Sequence, residues 1–294
     1  MNSEPSWDLY RSFAAVLDEG SLSGAARRLG LTQPSVSRHV EMLERAVGGA
    51  LFVRSQRGLS PTDRALALAP YAREMLTTAA ALRRTASAEP GAVAGTVRVT
   101  ASEVMALERL PPVLAELRRR HPDLGIELVP TNALDDLLQR RADIALRMVD
   151  PEQKSLLARR LGSVELGLHA RRDYLERRGT PATLADLAGH DLIGPDNEAP
   201  GVQAMLDLLP GLRRESFALR TDSHVAQLAA IRAGFGIGVC QVALAMRDPG
   251  LVRVLPDAFA PALPLWIAMH ENLREVARCR AVFDALAAAF TSRS

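Results

Sequence analysis

Within two helical turns the chain reads Thr32-Gln33-Pro34-Ser35-Val36-Ser37-Arg38. Gln33, Ser35 and Ser37 are short groups that can donate and accept hydrogen bonds, and Arg38 adds a guanidinium. Side chains of this kind read base edges in a DNA major groove, where an arginine can grip a guanine with two bonds. They can do so only if a helix presents them on one face. Thr32 is suited to cap that helix, and Pro34 falls in its first turn, where a missing N–H costs nothing. Val36, Val40, Leu43 and Val47 recur at i, i+4, i+7 and i+11, a single buried stripe. Glu41 joins the polar residues on the opposite face. Upstream, Ser23 is expected to cap a short helix carrying Ala25, Ala26 and Leu29, and Gly30 to end it in the left-handed conformation. The whole is a helix-turn-helix. The alternative is a plain helical hairpin with a solvated polar face.

The next segment of chain favours the nucleic-acid reading. Leu51-Phe52-Val53 predicts a strand, Arg54 to Gly58 a basic turn and Leu59 a return strand, together a wing beside the second helix. Arg54 and Arg57 on such a wing suit phosphate or minor-groove contact. Between residues 21 and 60 six arginines face two glutamates, a local excess of four positive charges in a chain of net charge +2. Positive charge is concentrated where a nucleic-acid footprint would need it.

This region resembles the DNA-binding domain of LysR-type transcriptional regulators. The matching pieces are Phe13-Ala14-Ala15-Val16, Asp18-Glu19-Gly20-Ser21, Ala25-Ala26 with Leu29, Thr32 to Arg38, Leu43-Glu44, Leu51 to Arg54, and Leu59-Ser60-Pro61-Thr62. The resemblance is tight over 7–85 and looser beyond. The chain departs from the common pattern at Gly49-Ala50, where a longer polar side chain often stands, and at Asp63, where glycine is frequent.

A chain of 294 residues, 48% apolar, suits a small domain plus a larger one. No apolar run approaches the ~20 residues of a membrane span. The N-terminal MNSEPSWDLY has neither the basic nor the apolar part of a secretory signal, so a cytoplasmic location is expected. Cys240 and Cys279 are the only cysteines. No Cys/His cluster is present, so neither a metal nor a cofactor is expected, and both thiols read as inert core. No GxSxG, HExxH or Walker motif occurs, and Phe235-Gly236-Ile237-Gly238 opens a strand rather than a dinucleotide turn, so an enzyme is not expected.

From residue 62 to about 86, Leu68, Ala72, Met75, Ala79, Leu82 and Ala86 form one narrow apolar seam. Such a seam fits a coiled-coil-like contact. The alternative is a helix packed on its own domain. Pro70 should bend or break the helix. The resemblance implies a dimerisation helix, hence a homodimer or a dimer of dimers on double-stranded DNA, and two-fold symmetry would double a short recognition site. Residues 87–95 are small, with Pro90 and two glycines, and read as a hinge.

The remainder alternates strands and helices. Strands are expected at 96–100, 126–129, 143–147, 164–169, 193–194, 217–220, 235–240 and 265–269. Helices are expected at 104–120, 132–141, 223–233 and 276–290. The order β-α-β-α-β argues for a parallel sheet with crossover helices. Two such units joined by strands near 161–169 and 263–269 resemble the two-lobed periplasmic-binding-protein fold, which is also the effector domain of the LysR-type family. The fold class is therefore α/β: a winged helix-turn-helix over 1–62, a linker helix over 63–88, a hinge over 89–95, and an effector-binding domain over 96–294. Its lobe I is expected at about 96–162 with 268–294, and lobe II at about 163–267.

In parallel sheets, ligands bind beyond the C-terminal strand ends, beside free N–H groups of helix N-termini. That rule selects Ser102, Thr131, Asn132, Arg147, Thr221 and Asp222. Ser102 and Thr131 also match positions where the family places hydroxyls against an effector. A serine and a threonine at converging helix starts, near an arginine, suit a small anion such as a carboxylate. The alternatives are that Ser102, Thr131 and Asp222 are helix caps, and that Arg147 pairs with Asp143 or Asp150. The expected function is a sequence-specific DNA-binding regulator controlled by a small, anionic metabolite. A solute-binding protein, or a regulator of another winged-helix family, is the competing reading.

Overall fold

The computed structural model describes residues 4–55, 58–86, 91–132, 142–151, 156–197 and 200–291. Chain contacts divide it into two units that meet in sequence after Ala86. Among the described residues no helix is long and apolar enough to cross a membrane.

The first unit begins with α1 (Trp7–Glu19), α2 (Leu22–Leu29) and α3 (Gln33–Val47). Strands β1 (Phe52–Ser55) and β2 (Gly58–Pro61) then form an antiparallel wing, and α4 (Asp63–Ala86) follows. Val36, Val40 and Leu43 of α3 are buried. Val36 and Val40 join Ala15, Val16, Ala25 and Ala26 in the three-helix core. Thr32 caps α3 by accepting from the Ser35 N–H at 3.3 Å. Gly30 ends α2 at φ 67°, as its sequence position requires. Ser23 is not the cap of α2. Ser21 holds that place and accepts from the Gly24 N–H, while the Ser23 hydroxyl donates to Gln33 Oε1 at 3.1 Å.

The wing is pinned at both ends. The Glu44 carboxylate on α3 accepts from the Leu51 and Phe52 N–H groups at 2.7 and 3.3 Å. The Thr62 hydroxyl donates to Ala50 O at 2.9 Å and caps α4 through the Ala65 N–H. At the tip, Leu59 N–H donates to Gly20 O at 3.0 Å. That approach needs glycine at 58, where φ is 118° and a Cβ would lie 2.8 Å from Gly20 O. Gly49, unusual against the family pattern, lies where a Cβ would meet the Arg64 guanidinium, which donates to Val47 O.

Helix α4 runs unbroken through Pro70. Proline removes one backbone bond, but the position is exposed and the helix is held by packing on one side. Ala65, Leu68, Ala72 and Leu76 pack into the cluster built by Leu9, Phe13 and Leu43. The seam expected from sequence therefore divides: Leu68 and Ala72 serve their own unit. The exposed stripe lies one step round the helix, at Tyr71, Met75, Thr78 and Leu82.

The second unit contains, in order, β3 (Gly95–Ala101), a π-type turn (Met105–Arg109), α5 (Leu110–Arg120), β4 (Leu124–Pro130), β5 (Ile144–Arg147), β6 (Leu156–Arg171), α6 (Arg172–Arg178) and β7 (Leu192–Gly194). It continues with α7 (Pro200–Leu206), β8 (Phe217–Arg220), α8 (His224–Arg232), β9 (Ile237–Gln241), α9 (Val242–Ala245), β10 (Leu251–Val254), β11 (Ala262–His270) and α10 (Ala277–Phe290). One sheet runs β4-β3-β5-β11-β6-β9-β7-β8, with β10 added on β6. Strands β3, β4 and β5 are parallel, as are β7, β8 and β9. Each set makes one lobe. Strands β6 and β11 pair antiparallel from Leu156 to Glu165 and join the lobes. The helix expected over 132–141 falls outside the described residues from 133 on.

The helix expected from residue 104 instead opens with the wider turn, in which Leu110 N–H reaches back to Met105 O. Pro111 and Pro112 explain it. Neither has an N–H, so the carbonyls of Leu107 and Glu108 lose their α-helical donors and the turn widens.

Gly58→Ala should cost about 1–3 kcal/mol, from the left-handed backbone and the clash with Gly20 O. Thermal unfolding of the full chain, with faster hydrogen exchange at Leu59, is the check. An unchanged melt would mean the wing tip docks differently.

Candidate DNA-binding and effector sites

On α3 the reading face is held but largely unspent. Gln33, Pro34 and Arg38 are exposed, Ser35 and Ser37 half-buried. Thr32 Oγ1 and Ser35 Oγ share a 2.8 Å hydrogen bond, and the Ser37 hydroxyl donates to Glu41 at 3.1 Å. Both bonds are local and orient the hydroxyls without carrying them into the core. Arg38 makes no hydrogen bond or ion pair among the described residues. Behind it, Ser12 and His39 share a part-buried bond of 2.8 Å that ties α1 to α3. Asp18 receives Arg28 and Arg73 at 2.9 and 3.2 Å, joining α1, α2 and α4. Arg54 lies on β1; Arg57 lies outside the described residues. The pinning role of Glu44 is not legible in the sequence, because nothing in a lone glutamate near a helix end says that its carboxylate will turn toward a following strand.

In the second unit a cavity of about 620 Å³ opens between the lobes and runs into lobe II. Lobe I contributes Ser102, Val104, Asn132 and Met148 to its mouth. The interior is apolar, with Leu168, Leu187, Leu192, Met205, Leu209 and Phe217 among its walls. These residues belong to the core of lobe II, so sequence patterning marks them as packing rather than as a site.

The residues selected from sequence separate here. Ser102, Asn132 and Asp222 line the cavity, whereas Thr131, Arg147 and Thr221 do not. Thr131 N–H closes a backbone bond to Ala101 O. Arg147 donates to Thr100 Oγ1 at 2.8 Å, across its own sheet. Thr221 Oγ1 accepts from the Ser223 N–H, shaping the turn into α8. Asp222 accepts from the Asp196 and Asn197 N–H groups at 2.9 Å each, and these bonds hold its carboxyl below the usual range. Ser102 caps nothing: its hydroxyl is buried and has no partner among the described residues. Gln241, not selected from sequence, is buried at the end of β9 with Oε1 also unpartnered. Beside it, burial pushes the Cys240 thiol up to about 12, so it is a neutral wall.

The small anion expected beside the helix starts meets a position already taken. Glu103 Oε2 accepts from the Asn132 amide at 3.3 Å and from the Ser223 hydroxyl at 3.2 Å. Ser223 is the cap of α8 in lobe II, so this carboxylate bridges the lobes. A second bridge lies five residues on, where Arg232 grips both oxygens of Glu108 at 2.6 and 3.2 Å. The Glu108 carbonyl, left without its α-helical donor by Pro112, takes a bond from Arg247 at 3.4 Å. Between these polar bridges, Val104 packs into the lobe II cluster of Ile193, Leu228, Ile231 and Leu244.

Residues 7–66 match the family described as "Bacterial regulatory helix-turn-helix protein, lysR family". Residues 90–291 match the "LysR substrate binding domain". The chain belongs to the LysR family of transcriptional regulators, which are not enzymes. It is 32% identical over 182 residues to the HTH-type transcriptional regulator CrgA of Neisseria meningitidis serogroup C (strain 8013), covering 62% of this chain. The match spans 61% of the length of that relative. It is 27% identical over 281 residues to the HTH-type transcriptional regulator PgrR of Escherichia coli (strain K12), covering 92% of this chain and 93% of PgrR. The fold is similar to the crystal structure of CbnR, a LysR family transcriptional regulator. There the TM-score is 0.68 at 19% identity, over 98% of this chain and 100% of the other.

The Arg232 hydrogen bond, then its charge, holds the Glu108 carboxyl below its ordinary range, against the opposing effect of burial. The pair's contribution is therefore full above the ordinary carboxylate range and is lost as acidification passes through the lowered folded value. The pair is partly exposed, so Glu108→Gln should cost no more than about 1 kcal/mol at neutral pH. The variant's melting temperature should fall less steeply with acid than the parent's. Identical acid profiles would show that the pair contributes nothing.

Proposed function

We propose that the protein is a sequence-specific DNA-binding transcriptional regulator whose operator binding responds to a small molecule held in the interlobe cavity. Arg38 carries the DNA-binding half of this reading. It stands exposed near the start of a capped helix whose other face is locked in a core, with hydrogen-bonding Gln33 and Ser35 beside it. Such a helix end reads base edges. Thr32, Pro34 and Ser37 fix the approach, and Arg54 and Arg57 of the wing add contacts to phosphates or the minor groove. The protein works where the chromosome is, in the cytoplasm.

The functional form is a homodimer or a dimer of dimers. Tyr71, Met75 and Leu82 are exposed on α4, Leu82 to 70%, and an apolar stripe of this kind calls for a partner. A second copy meets it with the same stripe and pairs two recognition helices on a palindromic site.

Arg38→Ala should weaken binding to the natural operator by ~1–3 kcal/mol, with an unchanged melting temperature. Equal affinity of variant and parent in a footprinting titration would remove Arg38 from the interface. Leu82→Glu should yield monomers, since each glutamate would be desolvated against its symmetry mate. Sedimentation showing an intact, operator-competent dimer would move the dimer contact off this stripe.

A further inference from the structure

The walls of the interlobe cavity carry information about what it takes. Its volume, about 620 Å³, falls within the range of sites for drug-sized molecules. Most of the lining is aliphatic or aromatic, and the deep part lies inside the lobe II core. No lysine or arginine is among the described lining residues. His224 is the one described lining group that can carry positive charge; it is exposed at the rim and close to the Asp222 carboxylate. The donors at the Asn132 side chain and the Ser223 hydroxyl are occupied by Glu103. A ligand carboxylate would face the Asp222 carboxylate at the wall and lose its hydration without a lysine or arginine among the described lining residues.

Two polar groups in this apolar setting stand out because nothing among the described residues uses them. The Ser102 hydroxyl, in a residue 8% exposed, and Gln241 Oε1, in a residue 4% exposed, both line the cavity and both lack a partner. Buried polar groups are almost always bonded, so an orphan pair at a cavity wall points to a ligand that bonds them. An amide oxygen asks for a donor; a serine hydroxyl accepts or donates. Resting on the reading of this cavity as the effector site, we propose that the ligand is a neutral, largely apolar molecule carrying a hydrogen-bond donor group. Its apolar body lies in lobe II among Leu192, Met205, Leu209 and Phe217, and its polar end meets Gln241 and Ser102.

Three probes of one skeleton test this on the full-length protein by fluorescence titration. N-Phenyl-1-naphthylamine is neutral with one N–H. 8-Anilinonaphthalene-1-sulfonate adds an anionic group, and 1-benzylnaphthalene, with CH2 in place of the N–H, lacks the donor. The amine should bind one per chain, and the sulfonate at least about 10-fold more weakly. Gln241→Leu should weaken the amine about 3- to 10-fold and leave the hydrocarbon within about 2-fold. Met205→Trp, which fills the cavity from α7, should abolish binding of all three. If that variant does not fold, Val202→Trp on the same helix replaces it. Sulfonate binding as tight as the amine's, and lost in the tryptophan variant, would overturn the neutral class while keeping the cavity as the ligand site. Amine binding unmoved by Gln241→Leu would overturn the polar anchor. Binding or non-binding of all three that the tryptophan variant leaves unchanged would overturn the cavity reading itself.

Discussion

Strands β6 and β11 are the constraint on which the effector-binding unit depends. Lobe I ends its sheet on β11, lobe II begins its sheet on the second half of β6, and the two strands pair between them with a register shift at Leu265/Trp266, opposite Leu161. Any change in the angle of the lobes must therefore be a bend or twist of this pair, with backbone bonds kept. On the open side of that hinge, residues 102–109 reach from lobe I into lobe II. Magnitudes decide what holds the closed side. The Glu108–Arg232 pair is partly exposed and is worth about 0–1 kcal/mol. Full burial of a valine side chain is worth about 1.5–3 kcal/mol, and Val104 is nearly buried in the lobe II cluster. Packing thus supplies most of the closing energy, while the two carboxylates at 103 and 108 fix the register.

The DNA-binding unit solves a different problem. A reading helix must be rigid, yet its reading groups must stay out of the rigid contacts. Here rigidity comes from groups on other faces: Ser12 with His39, Glu44 with the wing amides, and Arg64 with Val47 O. The hydroxyls on the reading face bond only within α3 or to its cap. Arg38 therefore costs the fold nothing, and under the proposed function recognition is separate from stability in this helix.

Local chemistry was legible in the sequence. The Thr32 cap, the Gly30 terminus, Pro34 and the Val36-Val40-Leu43 stripe follow from periodicity and capping rules, and the structure has them. The eight strands expected in the second unit are present, but β10 (Leu251–Val254) was not among them. Non-local chemistry was not legible. Ser21 rather than Ser23 caps α2, and Gly20 just before it takes the Leu59 N–H, a contact between segments far apart in sequence. The apolar seam of α4 was visible, but which side faces α1 was not, since two apolar stripes lie only one step apart. The two prolines that widen the turn at 105–109 were visible too, yet their effect is to free carbonyls that only the far lobe can use. Of the residues lining the interlobe cavity, the strand-end rule selected Ser102, Asn132 and Asp222. It missed Gln241, which sits on a strand that reads as core, and it could not know that Glu103 would occupy the anion position.

The orphan groups also bear on how occupancy could control the unit. A ligand shifts an equilibrium only by its difference in affinity between two arrangements. In the arrangement described, the Ser102 hydroxyl and Gln241 Oε1 are buried without partners among the described residues, and such burial costs about 1–3 kcal/mol for each group. An opened cleft would let water bond them. Closure without ligand therefore sets the gain from Val104, about 1.5–3 kcal/mol, against about 2–6 kcal/mol for the two unsatisfied groups together, so the penalty at least matches the packing gain. A ligand bonding both groups removes the cost only when the lobes are closed. The difference, about 2–6 kcal/mol for the two groups together, meets or exceeds the size that carries allosteric coupling, about 1–3 kcal/mol. A cavity walled purely by leucine would bind an apolar molecule as well but would lack this penalty. The two unsatisfied groups are what would turn affinity into a switch.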